Sequence, residues 1–261
     1  MATNYVKRAL DILQKEGPVE LTKQSKDFLL WKKFLPKNRR FRIRTLNNYY
    51  LSKMTFDAPA DPYKLIWVNP EQIRYYNKFI CKLCGLGQVK SGNWDKNKDS
   101  WRETWRYRGL KERFVDGIAW EDTIYLDYYK KKLEREGRAS GCTSIEEFVD
   151  VRCGYLDELY QELQENGYAV DDFKKNKKET RITWKDPYEP FASITRNGEI
   201  QVNEGNHRRA LAEFAGIEKI PLNVLIRHKQ WQELRDRIHN NGLPEEHENL
   251  QNHPDLQDVI N

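Results

Sequence analysis

The chain contains no hydrophobic run approaching the ~20 residues that cross a bilayer. Its start lacks a signal-peptide pattern, because Lys7, Arg8 and Asp11 interrupt residues 5–13. A cytoplasmic protein is the expectation. The acidic surface of a salt-adapted protein is missing too, since the net charge is +5. Cysteine is scarce, with four in 261 residues. Cys81-Lys82-Leu83-Cys84 has the spacing of a zinc half-site or a redox pair. A zinc site needs two more ligands. Cys142 and Cys153 do not make a second tight pair, and no His lies near either pair in sequence, so zinc is not expected and reduced thiols are. No internal repeat is visible.

Aromatic residues are abundant instead, with eight Trp and fourteen Tyr, and they can fill a sizeable core although 33% of the residues are charged. The length suits one large domain, or one domain with substantial decorations. The chain is organised around residues 198–228, GEIQVNEGNHRRALAEFAGIEKIPLNVLIRH. Ile200 and Val202 alternate as in a short strand. Asn203, Glu204, Gly205 and Asn206 form a polar turn. A helix then opens at His207 and Arg208, carries Ala210, Leu211, Phe214 and Ala215 on one face, and stops at Gly216. Leu222, Val224, Leu225 and Ile226 form a second strand.

The first amides of a helix have no intrahelical partner, and the helix dipole is positive there. Gly205 permits a close approach to the backbone. His207, Arg208 and Arg209 add donors and positive charge. This is the composition of a phosphate or carboxylate site. Glu204 is the acidic member, suited to holding a metal ion or accepting a proton. The alternative is that Glu204 or Asn206 merely caps the helix and the arginines are solvated.

Strand, EGNHRRALAEFAG and strand together resemble the ParB/sulfiredoxin-like superfamily, whose members carry a Gly-x-x-Arg or Gly-x-His-Arg turn leading into a helix. Gly205, Asn206, His207 and Arg208 match that pattern. The whole chain also resembles a mainly archaeal group with a ParB-like C-terminal half. The resemblance implies an α+β fold: a small mixed sheet with helices, in which the turn holds nucleotide phosphates, as in the CTP-binding partition proteins, sulfiredoxin and free-serine kinases. Sulfiredoxin has its catalytic Cys where this chain has Asn206, so sulfinic-acid reduction is not expected. Only 33 residues follow His228, too few for the helix-turn-helix and dimerisation domains of a partition protein.

Around this centre, residues 1–56 form a basic amphipathic arm, with short helices expected from residues 5–13 and 21–35. Residues 1–53 hold 13 Lys and Arg against 4 Asp and Glu, so the rest of the chain is net negative. Such an arm suits an anionic membrane surface, giving a peripheral attachment, or nucleic-acid phosphates. It also suits a helix packed on the domain with a solvated basic face. Residues 57–61, with two prolines, read as a linker. YKLIWV over residues 63–68 is a strand, and Asn69-Pro70 begins a short helix, so the domain is expected to cover residues 57–238. A helical insertion spans about residues 100–167, with a capping start at Thr143-Ser144 followed by Glu146 and Glu147. In it Arg106, Arg113 and Arg152 either line a site or form surface salt bridges. Residues 171–190 read as a charged loop or lid. Residues 239–261 read as a polar, flexible tail with solvated His239, His247 and His253.

One more loop carries chemistry. In GLGQVKSGNWD, residues 85–95, Asp95 could hold Mg²⁺ or act as a base and Trp94 could stack on a nucleobase. The alternative is a Gly-Asn turn whose Trp plugs the core. The resemblance and the turn together suggest an ATP- (or CTP-) and Mg²⁺-dependent phosphotransferase acting on a hydroxyl of a small molecule or glycan-type acceptor. Gly205, Asn206, His207, Arg208 and Arg209 would hold phosphate. Glu204, His207 and Asp95 would be catalytic, with Glu204 and Asp95 on the metal. The alternatives are a non-catalytic nucleotide- or DNA-binding regulator, or a ParB-like nuclease, which would need a cluster of acidic ligands.

Overall fold

The computed structural model describes Pro18 and residues 37–77, 84–96, 98–168 and 189–260. The two expected arm helices and most of the charged stretch 171–190 lie outside the described residues. The described residues form a mixed α+β fold of seven α-helices and one five-stranded sheet.

The sheet is built on its longest strand. β1 is Leu65–Val68, β2 Gln88–Lys90, β3 Phe191–Ile194, β4 Ile200–Val202 and β5 Ile220–His228. Every residue of β5 is buried, Asn223, Arg227 and His228 included, as befits a central strand. β1 pairs antiparallel with the first half of β5, and β2 parallel with its end. β3 runs parallel to β5 on its other side, and β4 returns antiparallel to β3. The β3–β4 turn contains the expected Asn197-Gly198. Gly198 has φ 83°, and a Cβ there would sit 2.5 Å from the Trp231 ring.

The helices are α1 (Lys37–Thr55), α2 (Trp105–Phe114), α3 (Ile124–Glu136), α4 (Ile145–Phe148), α5 (Gly154–Asn166), α6 (Asn206–Phe214) and α7 (Lys229–Asn241). A π-helical turn, Val149–Cys153, joins α4 to α5. The capping start before α4 is present: Ser144 accepts from the Glu147 amide, and the Glu147 carboxylate accepts from the Thr143 amide at 2.8 Å. The helices of residues 100–167 are not a separate layer. Leu110, Tyr125, Phe148 and Leu156 share one core with Ile194, Val202 and Leu211. Trp105 stacks on Tyr128 at 3.7 Å, and Tyr107 meets Phe214 edge-on at 5.1 Å.

Two expectations are corrected. The tail is packed: Asp255, Leu256 and Val259 are buried. Arg227 forms a bidentate pair with Asp255, and Arg235 donates to the Asp255 carbonyl and pairs with Asp258. His253 bonds the Gly198 carbonyl at 2.9 Å and lies against Trp231, so it is not solvated. Composition misled here because one buried carboxylate between two arginines holds a polar segment in place. Secondly, Cys84 is disulfide-bonded, whereas Cys142 and Cys153 are free, buried thiols. The C-terminal part of the arm is α1, docked on the domain. Thr45 accepts from the Leu86 amide, and Asn48 donates to the carbonyls of Cys84 and Leu86.

Candidate functional site

β4 ends at Val202, and α6 begins four residues later, at Asn206. Gly205 occupies the N-cap position with φ 82°, in the left-handed region. Its small size is also required, because a Cβ there would fall 2.5 Å from Cβ of Pro190. The close neighbour that glycine admits on that side is therefore Pro190. The N-cap residue of α6 is a glycine and has no side chain to cap with, whereas Thr104, Thr123, Ser144 and His228 cap α2, α3, α4 and α7. The N-cap residue therefore adds no side-chain acceptor to the positive end of α6. Asn206 Oδ1 is buried without a hydrogen-bond partner.

The three basic residues after the turn go three ways. His207 Nε2 lies 3.0 Å from the Tyr125 hydroxyl at the start of α3. Burial, and then the charges of Arg152 and Arg106, hold the imidazole pKa well below its ordinary value, so it is neutral at pH 7. Arg208 donates to Glu189 at 3.0 Å, and Glu189 also accepts from the Tyr168 hydroxyl at 2.7 Å. Arg209 turns into the core. It is fully buried, donates to the Ile73 carbonyl at 2.8 Å and lies over the Trp101 ring. Burial lowers its pKa to about 10. Its charge is spent inside the fold, which argues against a direct phosphate role.

Two further arginines reach the same place from other elements. Arg106, on α2, lies over the Trp105 ring at 4.5 Å, and Arg152, on the π-helical turn, lies over the Tyr155 ring at 5.6 Å. Both are close enough to depress His207. Neither pairs with a carboxylate among the described residues, and Arg152 Nε is buried without a partner. Arg113, by contrast, forms an ion pair with Asp157 at 3.1 Å. π-Turns cluster at functional sites because they displace a side chain from the regular helical ladder. In sequence Arg106 and Arg152 could equally line a site or form surface salt bridges, and Tyr125, Glu189 and Tyr168 carry no signal of a role. Only the tertiary fold joins them to the turn.

The second loop does not supply what was expected of it. Asp95 is buried, and both its carboxylate oxygens are taken by Arg196: Oδ2 by the amide at 3.0 Å and Nε at 2.8 Å, and Oδ1 by Nη2 at 2.7 Å. Burial alone would raise its pKa, but the Arg196 bonds outweigh it and hold the carboxyl at about 2. Asp95 therefore does not fit a Mg²⁺ ligand or a general base. Trp94 packs against the core of Phe41, Leu86 and Phe191, and its indole donates to the Lys90 carbonyl at 3.2 Å. It is a plug and not an open stacking platform. Glu204, half-buried beside the turn, is the remaining candidate for Mg²⁺. Among the described residues no three His, Cys, Asp or Glu side chains gather as a metal-binding group. A cavity of about 660 Å³ lies elsewhere, lined by Trp67, Gln72, Glu199 and His253 among others, and no residue of the turn contributes to it. The turn is the better candidate on chemistry, because arginines without a carboxylate partner among the described residues stand near a helix start there.

No protein-family model, curated protein or solved structure matches the chain. Among the described residues no helix is long and apolar enough to cross a membrane.

Proposed function

We propose that the chain is a nucleotide-binding protein whose phosphates lie at the start of α6, between Arg106, Arg152 and Arg208. The observation that carries this reading is that Arg106 and Arg152 lie near enough to the glycine-capped start of α6 to depress His207, without a carboxylate partner among the described residues. Two cations with no carboxylate partner among the described residues repel each other beside a helix dipole, and a phosphate group would offset both. Neutral His207 would meet the anion as a hydrogen-bonding group. The ParB/sulfiredoxin-like likeness of residues 198–228 points the same way.

The catalytic form of the proposal is ATP- and Mg²⁺-dependent phosphoryl transfer to a hydroxyl of a small molecule or glycan-type acceptor. The acceptor oxygen would bond to the γ-phosphorus as the bond to the ADP oxygen breaks, and Glu204 would take the hydroxyl proton or help hold Mg²⁺. Bound Mg²⁺ would neutralise phosphate charge. The commitment of Asp95 to Arg196 favours a second reading, a nucleotide-binding regulator without catalysis, because it leaves the turn with fewer acidic groups than transfer chemistry commonly uses.

Calorimetry with ATP, ADP, CTP and GTP in Mg²⁺ tests the site. Arg152→Ala and Arg208→Ala should each weaken binding by roughly tenfold or more, the loss of one charge-assisted contact. Unchanged affinity in both variants would sink the site. Glu204→Gln then separates the two forms: an enzyme loses ATP turnover but keeps the nucleotide, and a regulator has no turnover to lose.

A further inference from the structure

Helix α1, KNRRFRIRTLNNYYLSKMT, contains six Lys and Arg and no acidic residue. One face docks on the domain: Phe41, Thr45 and Ser52 are buried, and Phe41 lies 5.7 Å from the Phe191 ring. At 100° per residue, Ile43, Leu46, Tyr50 and Met54 fall together on the opposite side. They are 42%, 46%, 61% and 84% exposed. Arg39 lies within this stripe, and Arg42 and Lys53 flank it; all three are exposed. A helix held by its polar and aromatic face, with an aliphatic stripe and cations turned outward, is inverted relative to an ordinary surface helix.

We infer that this outward face of α1 docks on an anionic lipid bilayer, with Ile43, Leu46, Tyr50 and Met54 entering the interface and Arg39, Arg42 and Lys53 meeting the headgroups. Charge complementarity sets the sign of the partner, since a face with three cations and no carboxylate on its helix requires an anion. The aliphatic stripe sets its kind. A bilayer offers an apolar layer just beneath its phosphates, at the depth an interfacial helix reaches. A nucleic-acid duplex offers phosphates but nothing to bury Leu46 and Met54. The inference is independent of the nucleotide site, which lies on α6.

The test is co-sedimentation of the full chain with vesicles of phosphatidylcholine alone or with roughly a third phosphatidylserine. Binding is expected to the anionic vesicles only, and to weaken at high salt. Leu46→Asp with Met54→Asp should lower the partition coefficient by at least about tenfold, because two buried apolar side chains are lost. Arg39→Glu with Arg42→Glu should do the same through charge. The charge pair keeps the apolar stripe, so it remains a test if the first variant fails to fold. No binding to anionic vesicles, equal binding to neutral ones, or unchanged binding in the charge variant overturns the inference. So does binding of duplex DNA that the same variants abolish while vesicles leave the protein in solution.

Discussion

Asp95→Asn separates a structural carboxylate from a catalytic one. The side chain of Asp95 is 2% exposed and that of Arg196 25% exposed. The Arg196 bonds lower the Asp95 carboxyl from 3.8 to about 2, and a shift of that size corresponds to roughly 2.5 kcal/mol of stability at neutral pH. Removing one partner of a buried pair commonly costs about 3–5 kcal/mol. Here Arg196 can recover some hydration, so the expected loss is about 2–3 kcal/mol. That is a fall of roughly 5–10 °C in Tm for a chain of this size. Urea denaturation should show a lower midpoint with an unchanged slope. Because the folded-state pKa is depressed, the contribution is present above the unfolded value and disappears as pH falls through the folded one. The gap between wild type and variant should therefore begin to close below about pH 4. Nucleotide affinity should be unchanged. A variant within about 0.5 kcal/mol of wild type at neutral pH would refute the ion-pair account. Lost nucleotide binding or turnover at unchanged stability would return Asp95 to the metal or the proton.

Three other perturbations follow from the same geometry. Gly205→Ala combines a left-handed backbone with a clash against Pro190 and should cost roughly 2–4 kcal/mol in urea unfolding; a neutral result would mean that the turn adopts another conformation. Asp255→Ala leaves Arg227 and Arg235 buried without their shared carboxylate and should cost about 3–5 kcal/mol, whereas a truly loose tail would tolerate it. His207, held neutral by burial and then by Arg152 and Arg106, takes up a proton near pH 6.5 only when unfolded, so stability should fall as pH drops below about 6.5. His207→Gln should flatten part of that slope in pH-dependent unfolding, with the remainder coming from His253, whose pKa burial also lowers.

The fold was legible wherever short-range pattern and burial agree. IPLNVLIRH gathers Leu222, Val224, Leu225 and Ile226 in one apolar run and became the central strand; Asn197-Gly198 marked a hairpin; Gly216, at φ 71°, ended α6. The tail was misread because its order depends on one ion-paired carboxylate, Asp255, reaching back to Arg227 and Arg235. Composition cannot weigh that contact, since a polar segment is scored by what it lacks and one buried pair outweighs many solvated residues. The basic run at 37–44 carried no apolar periodicity, yet it is helical, because Thr45 and Asn48 find backbone partners in residues 84–86. Tertiary hydrogen bonds there replace the missing pattern.

The surroundings of the turn were not legible in the sequence. His207-Arg208-Arg209 reads as a block of positive charge, but successive helical residues point 100° apart. One meets Tyr125, the next Glu189, and the third the carbonyl of Ile73 inside the core. A block of like charges in sequence therefore overstates the field at the turn. That field is restored from outside the block, by Arg106 on α2 and Arg152 on a π-helical turn. Both sit in a region that reads as packing, because their neighbours Trp105 and Tyr155 are aromatic. The aromatic rings support the guanidinium groups without neutralising them. A carboxylate in their place would have held the arginines equally well and cancelled the charge. Arg113 also lies over a ring, that of Trp120, but it has the Asp157 carboxylate in addition; the lack of such a carboxylate among the described residues is what distinguishes Arg106 and Arg152.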